Sequence, residues 1–541
     1  MFRLSLSKET LGTLVGLLVV SALFLAYAVG GTRAAQLWCF LLPAAFFFML
    51  TDRWSRLRSA AAWLLGLSCV LSSLDTGIRG FLKQVYQSDL LSSFVVESLA
   101  NTHTSESVEY LLTVWPDVLL WSALTLLCAS IQITLLVRCA KRSTHTPMTG
   151  HALTLAILVP TLLLSVATLS VRPWRSQLPV FSWLHFQSKV AAYHTDWLHA
   201  QEERRHEADA AARSVKPIAI PPRTVVLMVG ESLTRDDMSL YGYERRTTPR
   251  LESRAANDPR FAYVRDVWSI DASTVASFRS MFDFRLPQDK NESTGNLFAF
   301  FRAAGYQITW ISNQDDMAIK SEWMAHCDKQ VVLNRLAGRS SRSMDDVTLA
   351  PLRDALADPA PHKLIVVHMI GVHPHFSLRY PEGLKPTWSD NDAITKRMKA
   401  DNRSVVTQHA RNEYDLAVLY QDSVLADALS LTEASSDRIP AFWLYLSDHG
   451  VETGNHADRT GHSQTTPSGY RIPLLLWADP RLSPDWNWQT LSQRSFRSDD
   501  LSALLLKAAG IELSIPSTPT LLDKDYVWRV PPSKAQFKPK P

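Results

Sequence analysis

The run Pro440–Gly450, PAFWLYLSDHG, places a carboxylate beside an imidazole directly after an apolar segment. Ala441–Leu446 is short, apolar and rich in aromatic residues, which is typical of a buried strand in a parallel sheet. Because chemistry in open α/β sheets gathers beyond the carboxyl ends of the strands, Asp448 and His449 would be presented together at that edge. Such a pair suits a borderline divalent metal such as zinc, although a turn aspartate beside a hydrogen-bonded histidine is the simpler alternative.

Similar groups follow two other apolar runs. Thr224–Val229 reads as a strand that stops at Gly230, so Glu231 is placed like Asp448 and the two carboxylates could converge on one ion. The alternative for Glu231 is an acid in the first turn of a helix, where the helix dipole favours it. His368 lies near the end of the strand Lys363–Met369, His373 and His375 follow that strand, and His456 and His462 lie in the turn after Asp448. Carboxylates and imidazoles from separate strand ends are what a metal-dependent hydrolase or transferase requires.

A candidate nucleophile lies in the segment Ser269–Phe282, SIDASTVASFRSMF. A helix that begins near Val275 would have Thr274 at its amino-terminal end, beside free backbone N–H groups that favour a phosphate. A metal bound to the Thr274 hydroxyl would lower its pKa and make it a usable nucleophile. On chemistry alone, a plain helix cap by Thr or Ser is an equally good interpretation.

The first third of the chain must lie in a membrane. Five uncharged apolar runs occur there: Leu11–Thr32, Ala34–Thr51, Ser59–Leu74, Val118–Val137 and Ala152–Val171. Four are about long enough to cross a bilayer as helices, and Ser59–Leu74 is marginal, requiring tilt or partner helices. These runs predict a five-helix transmembrane domain at residues 1–171, in preference to a cleavable signal peptide.

The basic residues orient this domain. Arg53, Arg56 and Arg58 follow the second run, and Arg138, Lys141 and Arg142 follow the fourth, which predicts a cytoplasmic amino terminus. An odd number of crossings then exports everything after Val171. The net charge of +4 is small for 541 residues and argues against nucleic acid as a partner. Of five cysteines only Cys327 lies in the exported part, so no disulfide can form within it.

Two polar segments adjoin the membrane runs. Residues 77–117 are too polar to be buried in lipid and predict a helical loop on the outer surface. Within it, Thr102 and Glu106 are spaced i,i+4 and share one helix face, for which a solvated, capped helix end is the simpler interpretation. Residues 172–215 predict interfacial and bridging helices, because aromatic residues alternate there with basic and polar ones before a highly charged stretch.

The remainder, residues 216–541, alternates strand and helix patterns. The predicted elements are strands at Thr224–Val229, Gln307–Ile311, Lys363–Met369, Ala441–Leu446 and Ile472–Trp477, and helices at Asn296–Ala304, Leu352–Ala357, Asn412–Leu431 and Asp499–Ala509. Alternation of this kind predicts an α/β fold with a mostly parallel sheet flanked by helices on both faces.

These residues together resemble the inner-membrane phosphoethanolamine transferases of the alkaline-phosphatase/sulfatase superfamily. The matching pieces are VGESLTRDDMSLYGYERRTTPRL at Val229–Leu251, Thr274 with Ser280-Met281-Phe282, HMIGVHP at His368–Pro374, and Tyr445–Gly450 followed by Gly461-His462. The five-crossing start matches as well, so the resemblance covers essentially the whole chain. The long GES…LYGYER run is the specific part, whereas DHG alone is common.

Carried over position by position, the resemblance implies a set of zinc ligands: Glu231, Thr274, Asp448 and His449. Thr274 would also be the nucleophile that becomes modified with phosphoethanolamine. His373 and His462 correspond to histidines near the transferred phosphate, around a second, weaker zinc site or as proton donors. Thr102 and Glu106 match residues that face the amine end of the donor, which favours a functional interpretation of that pair.

The resemblance implies an enzyme at the bacterial inner membrane with a periplasmic catalytic domain. The expected reaction is transfer of phosphoethanolamine from phosphatidylethanolamine to lipopolysaccharide, on lipid A or a core sugar, through a zinc-bound phosphothreonine. The alternatives are a periplasmic glucan acceptor, a phosphoglycerol transferase, a sulfatase-like hydrolase, or a non-catalytic membrane-anchored binding domain. Ile270-Asp271 replaces the family's Cys-Gly before the nucleophile, and the disulfides of lipid A-modifying members are absent, so the acceptor stays open.

Overall fold

The chain forms two compact units, residues 1–100 with 114–194 and residues 101–113 with 195–541. The computed structural model describes residues 6–30, 34–35, 39–52, 55–86, 89–91, 95–96, 99, 104–141, 149–176, 178–216, 220–284, 295–314, 323–333, 344–482, 485–514 and 518–537.

The amino-terminal part of the chain is helical. Its helices are Lys8–Ala28, Leu42–Leu50, Ser55–Tyr86, Thr104–Lys141, His151–Ser170, Arg172–Arg175 and Pro179–Ser214. In the described residues, four helical stretches are long and apolar enough to cross a membrane: Lys8–Ala28, Leu57–Tyr86, Val114–Ala140 and His151–Ser170. The second apolar run contributes only the shorter apolar helix Cys39–Leu50. A fifth crossing therefore stays a prediction.

The marginal third run is part of a longer helix than its apolar length suggests. Helix Ser55–Tyr86 continues past Leu74 through the charged residues Asp75 and Arg79. Arg79 Nε lies 2.7 Å from Asp75 Oδ2 on the same helix face, and their side chains are 2% and 1% exposed. Trp183 Nε1 also donates a hydrogen bond to Asp75 Oδ1, 2.8 Å away. Because this pair neutralises its own charge, the helix does not have to end where the apolar run does.

The carboxyl-terminal unit is built on a seven-stranded sheet. In chain order its strands are Arg223–Gly230 (β1), Phe261–Tyr263 (β2), Gln307–Ser312 (β3), Lys329–Val332 (β4), His362–His368 (β5), Ala441–Ser447 (β6) and Leu474–Ala478 (β7). Their spatial order is β2-β7-β6-β1-β5-β3-β4. β7 runs antiparallel to both of its neighbours, β2 and β6, and the other strand pairs of this sheet are parallel. The α/β fold with a mostly parallel sheet is thus confirmed.

Helices cover the sheet. They are Pro249–Asn257, Thr274–Phe282, Leu297–Ala303, Leu349–Ala357, Ala393–Ala400, Val405–Ser436, Trp488–Gln493, Leu501–Ala508 and Pro532–Gln536. Alternate residues of β1 pack into two different apolar clusters, Val225, Leu227 and Val229 into one and Val226 and Met228 into the other. Both faces of β1 are therefore buried, which is why its sequence is continuously apolar and not alternating.

The register of the three central strands brings their carboxyl ends together. Val229 of β1 pairs with His368 of β5, and Gly230 pairs with Ser447 of β6. The Asp448 backbone N–H then donates to the Gly230 carbonyl over 3.0 Å. Glu231 and Asp448 consequently leave the sheet side by side.

Candidate functional site

Glu231 is fully buried at the end of β1 and lies between several partners. Its Oε2 accepts a hydrogen bond from Thr274 Oγ1 over 2.9 Å, and its Oε1 accepts one from Ser232 Oγ over 2.7 Å. His449 Nε2 lies 3.2 Å from Oε1. Ser232 has a positive φ of 61°, a backbone conformation that only a tightly held turn maintains in a residue other than glycine.

The turn after β6 presents one free carboxylate oxygen and one free ring nitrogen. Asp448 Oδ1 accepts hydrogen bonds from the backbone N–H groups of Ser232 (3.1 Å) and His449 (2.6 Å). The Nδ1 of His449 lies 2.8 Å from the Gly450 carbonyl, which can only accept, so Nδ1 carries a proton, and in the neutral imidazole Nε2 offers a lone pair to a metal. Within the described residues, Asp448 Oδ2 and His449 Nε2 are buried without a hydrogen-bond partner.

Two further histidines extend the cluster. Glu231, His449 and His462 each offer one ligand atom, and these atoms lie within 4.8 Å of one another. The ring centroids of His449 and His462 are 4.8 Å apart, and those of His462 and His373 are 6.2 Å apart. Six of the residues singled out in the sequence therefore converge: Glu231, Thr274, His373, Asp448, His449 and His462.

The electrostatics of this cluster favour a cation. Burial raises the pKa of Asp448, and the nearby Glu231 carboxylate adds to this rise. Burial lowers the pKa of His449, but attraction to Asp448 and Glu231 outweighs burial and raises it overall. Both directions reflect two carboxylates that are buried close together.

The donor set fits a zinc ion. Two tetrahedral ligands that each lie about 2.1 Å from zinc are about 3.4 Å from one another. His449 Nε2 lies 3.2 Å from Glu231 Oε1 and 3.5 Å from Asp448 Oδ2, close to that separation. Asp448 Oδ2 and His449 Nε2 are buried without a hydrogen-bond partner among the described residues, and a metal ion bound at this cluster would satisfy both atoms.

A layer of amides and one buried carboxylate supports Glu231, and none of it was among the predicted residues. Gln314 Nε2 donates to Glu231 Oε2 (3.3 Å) and to the Met369 carbonyl (2.7 Å). Asp345 is fully buried and accepts from the backbone N–H groups of Ile370 (2.9 Å) and Gly371 (2.8 Å). These bonds hold the loop after β5 against the backbone of Glu231.

Gly371 allows this close approach. It has a φ of +58°, and an added Cβ would lie 2.5 Å from the Glu231 carbonyl oxygen. We expect Gly371→Ala to destabilise the protein by about 3 kcal/mol, since backbone strain and overpacking add, and to reduce bound metal. Gly383→Ala is the matched control, because Gly383 has a φ of +88° but no atom within 4 Å of an added Cβ. Denaturation midpoints and metal content check the pair, and equal losses in both variants would contradict the prediction.

Other predicted positions lie elsewhere. His368 is buried in the core, with its ring centroid 4.9 Å from that of Phe278. His456 is exposed in the turn before His462. Thr102 lies outside the described residues, and so does the side chain of Glu106. Their donor-binding role stays a prediction.

Comparison with known proteins places these features in a family. The family model described as Sulfatase matches residues 223–511. Phosphoethanolamine transferase EptC of Escherichia coli K12 is 33% identical over 291 residues, 51% of this chain and 48% of that protein. Phosphoethanolamine transferase CptA of Salmonella typhimurium is also 33% identical over 291 residues, with the same coverage. The chain thus spans about half the length of the curated relatives it matches.

Solved structures extend the comparison. The zinc complex of the carboxyl-terminal periplasmic domain of Escherichia coli EptC is 27% identical, with a TM-score of 0.53 over 58% of this chain and 92% of that one. The integral membrane lipooligosaccharide phosphoethanolamine transferase A of Neisseria meningitidis is 20% identical, with a TM-score of 0.54 over 94% of this chain and 96% of that one. At that identity the second match shows the fold alone, that of a membrane protein. The resemblance to phosphoethanolamine transferases is confirmed, and since the Sulfatase model covers more than half of the chain, the protein belongs to the sulfatase family.

Proposed function

We propose that this protein transfers phosphoethanolamine from phosphatidylethanolamine to a glycan of the bacterial cell envelope. The observation that carries the proposal is the hydroxyl of Thr274, 2.9 Å from Glu231 Oε2 at the edge of a buried carboxylate–imidazole cluster. The names of the relatives support the group transferred. A phosphotransferase with a threonine nucleophile needs this combination of groups.

We assign the zinc ligands as Glu231, Thr274, Asp448 and His449, with one tightly bound ion. His373 and His462 are the candidate ligands of a second, weaker zinc site. When bound, zinc would lower the pKa of the Thr274 hydroxyl and neutralise charge on the phosphoryl oxygens. The zinc complex of the Escherichia coli EptC domain supports the choice of metal.

The reaction has two displacements at phosphorus. In the first, Thr274 Oγ gives up its proton and forms a bond to phosphorus, while the bond from phosphorus to the glycerol oxygen breaks and diacylglycerol leaves with a proton. In the second, an acceptor hydroxyl or phosphate oxygen bonds to phosphorus and the bond to Thr274 Oγ breaks. We propose that His373 or His462 delivers or accepts these protons, and the position of their rings beside the cluster supports this role.

We propose a multi-pass protein of the inner membrane with a cytoplasmic amino terminus and a transmembrane domain at residues 1–171. Residues 172–215 form the bridge, and 216–541 form the periplasmic catalytic domain. Thr102 and Glu106 in the outer loop at 77–117 contact the amine end of the donor. Lipopolysaccharide, on lipid A or core, is the favoured acceptor, with a periplasmic glucan as the alternative.

The donor is tested with the full chain reconstituted into vesicles. We expect vesicles that contain phosphatidylethanolamine to produce a phosphoethanolamine adduct on the protein, detected by intact mass. Vesicles in which phosphatidylglycerol replaces it should leave the protein unmodified. An adduct only from phosphatidylglycerol would identify a phosphoglycerol transferase. Release of ethanolamine phosphate with no acceptor modified would identify a hydrolase of the kind that the family name suggests.

A further inference from the structure

A second cavity lies near the metal-ligand cluster and plays no part in the chemistry described above. It has a volume of about 230 Å³, and its walls include the side chains of Arg235, Asp236, Tyr241, Tyr243, Glu244, Arg265 and Arg397. We call it the Tyr241 pocket. Its lining combines two aromatic rings with three guanidinium groups and two carboxylates. One of these carboxylates, Asp236, is paired with Arg471, which is not part of the lining, over 3.4 Å.

The Tyr241 pocket opens on the same edge of the sheet as the cluster. Arg235 follows Glu231 by four residues, so their Cα atoms are at most about 14 Å apart. The Arg235 backbone N–H donates to the Arg471 carbonyl over 3.1 Å. The turn that contains Arg471 also holds the metal-ligand turn, because the Gly450 N–H donates to the Gly469 carbonyl over 3.0 Å. A ligand of one or two sugar rings in the pocket would therefore lie within reach of the cluster.

The tyrosine rings form rigid walls. Tyr241 is fixed through its hydroxyl, which accepts from the Leu474 N–H over 3.1 Å. The Tyr243 hydroxyl donates to Asp415 Oδ2 over 2.7 Å and accepts from Arg411 over 3.0 Å. Both hydroxyls are hydrogen-bonded within the protein, so each tyrosine contributes its ring to the cavity wall. Sugar rings stack on aromatic surfaces of this kind.

The guanidinium groups differ in what they already bind. Arg235 is anchored by the Val267 carbonyl (3.0 Å) and by Asp266 Oδ1 (2.9 Å), so it forms part of the fixed lining. Among the described residues Arg397 forms an ion pair with Glu244 alone, and this pair contributes little because both side chains are exposed. Arg265 is exposed and has no ion-pair partner in the described ranges. Arg265 and Arg397 can therefore bind a phosphate without breaking a buried interaction.

A larger cavity of about 540 Å³ serves as a contrast. It is also lined by arginines, but each is matched by a carboxylate: Arg250 by Asp427, Arg254 by Asp258 and Glu433, and Arg260 by Asp258 and Glu433. It lies at the opposite end of the strands from the cluster. Arg260 directly precedes β2, and the first residue of β2 pairs with Trp477, near the carboxyl end of the antiparallel strand β7. Arg254 and Arg260 are held by the less exposed carboxylates Asp258 and Glu433.

We propose that the Tyr241 pocket binds a phosphorylated sugar of the acceptor. Arg265 and Arg397 bind the phosphate, and the rings of Tyr241 and Tyr243 contact the sugar. The inference deepens the proposed function, because it selects a phosphate-bearing glycan among the open acceptors. A lipid-linked disaccharide phosphate and a phosphorylated core sugar share this chemistry.

The test measures binding to the full chain in detergent, so it does not depend on transfer activity. The probes are a deacylated glucosamine disaccharide bisphosphate, a heptose phosphate, the same disaccharide without phosphate, and inorganic phosphate. We expect the better phosphorylated sugar to bind at least tenfold more tightly than the unphosphorylated disaccharide or inorganic phosphate. The preferred of the two phosphorylated probes identifies the source of the acceptor.

The variants assign that binding to the pocket. Arg265→Gln and Arg397→Gln should each weaken it about tenfold, and Arg265→Lys should weaken it less. Arg250→Gln is the matched control, because Arg250 is an exposed arginine in the larger cavity. The affinity of this variant for the phosphorylated sugar should be within twofold of that of the parent protein. Equal binding by all variants, or an equal loss in Arg250→Gln, would overturn the proposal, as would equal affinity for inorganic phosphate. If the parent protein binds as expected but forms no adduct, the pocket stands and the transferase function fails.

Discussion

Thr274→Ala is expected to abolish both the covalent adduct and transfer to any acceptor. The hydroxyl is the only group at the cluster edge that we assign as nucleophile, and its loss leaves no oxygen to bond to phosphorus. A fall in turnover on the order of 10⁴-fold or more is typical of removing a nucleophile. Intact mass after incubation with phosphatidylethanolamine vesicles measures the adduct directly. An adduct on the alanine variant would refute the assignment of Thr274.

Two companion variants make that result specific. Ser273→Ala removes the neighbouring hydroxyl, which makes no capping hydrogen bond to the helix that begins at Thr274, and should form the adduct normally. Thr274→Ser keeps a hydroxyl but loses the methyl group that restricts its rotation, so it should retain a reduced rate. If Ser273→Ala were as inactive as Thr274→Ala, the defect would lie in the loop and not in the nucleophile.

The strand ends were predictable from the sequence because buried parallel strands leave a simple pattern. The predicted strand Thr224–Val229 and the observed β1 differ by one residue at each end, and β6 extends the predicted Ala441–Leu446 by one residue. The rule that chemistry lies beyond carboxyl ends then placed Glu231 beside Asp448. The edge strands β2 and β4 were not predicted, since runs of three and four residues are too short to show a periodicity.

The long helix shows a different limit. The sequence predicts Asn412–Leu431, but the helix runs from Val405 to Ser436. Ser404 begins it, since its hydroxyl accepts from the Thr407 N–H over 3.2 Å. Val405 and Val406 are apolar but 80% and 65% exposed, so the first turn does not continue the helical period of the buried apolar residues.

The support around Glu231 was missed for a physical reason. Gln314 and Asp345 form hydrogen bonds with backbone groups of the loop after β5. Because any residue type offers the same backbone groups, such bonds require no particular sequence in that loop. For Gln314 a signal existed, because it follows the end of β3 by two residues and so lies at the same sheet edge. For Asp345, which precedes a helix far from any strand end, the sequence offered none.

Asp448→Asn is expected to abolish stoichiometric zinc binding while leaving the fold intact. Asparagine keeps the Oδ1 acceptor for the N–H groups of Ser232 and His449, and it replaces only the orphaned Oδ2. Loss of one anionic ligand should weaken affinity on the order of 100-fold or more, given that even outer-shell changes cost 10–100-fold. Elemental analysis of the purified full chain measures the metal. His456→Ala, which removes an exposed histidine in the turn before His462, is the control and should bind zinc normally.

The melting temperature separates a metal centre from a plain buried ion cluster. At a zinc concentration about 100 times Kd, binding adds about 2.7 kcal/mol, or about 4 °C for a unit of this size. We expect that gain, reversed by a chelator, in the parent protein and not in Asp448→Asn. In the chelator, Asp448→Asn should melt no lower than the parent, because the substitution relieves repulsion between two buried carboxylates. If Asp448→Asn melted far below the parent without metal, Asp448 would be holding the fold together through contacts of its own, and the case for an ion between Asp448 and His449 would fail.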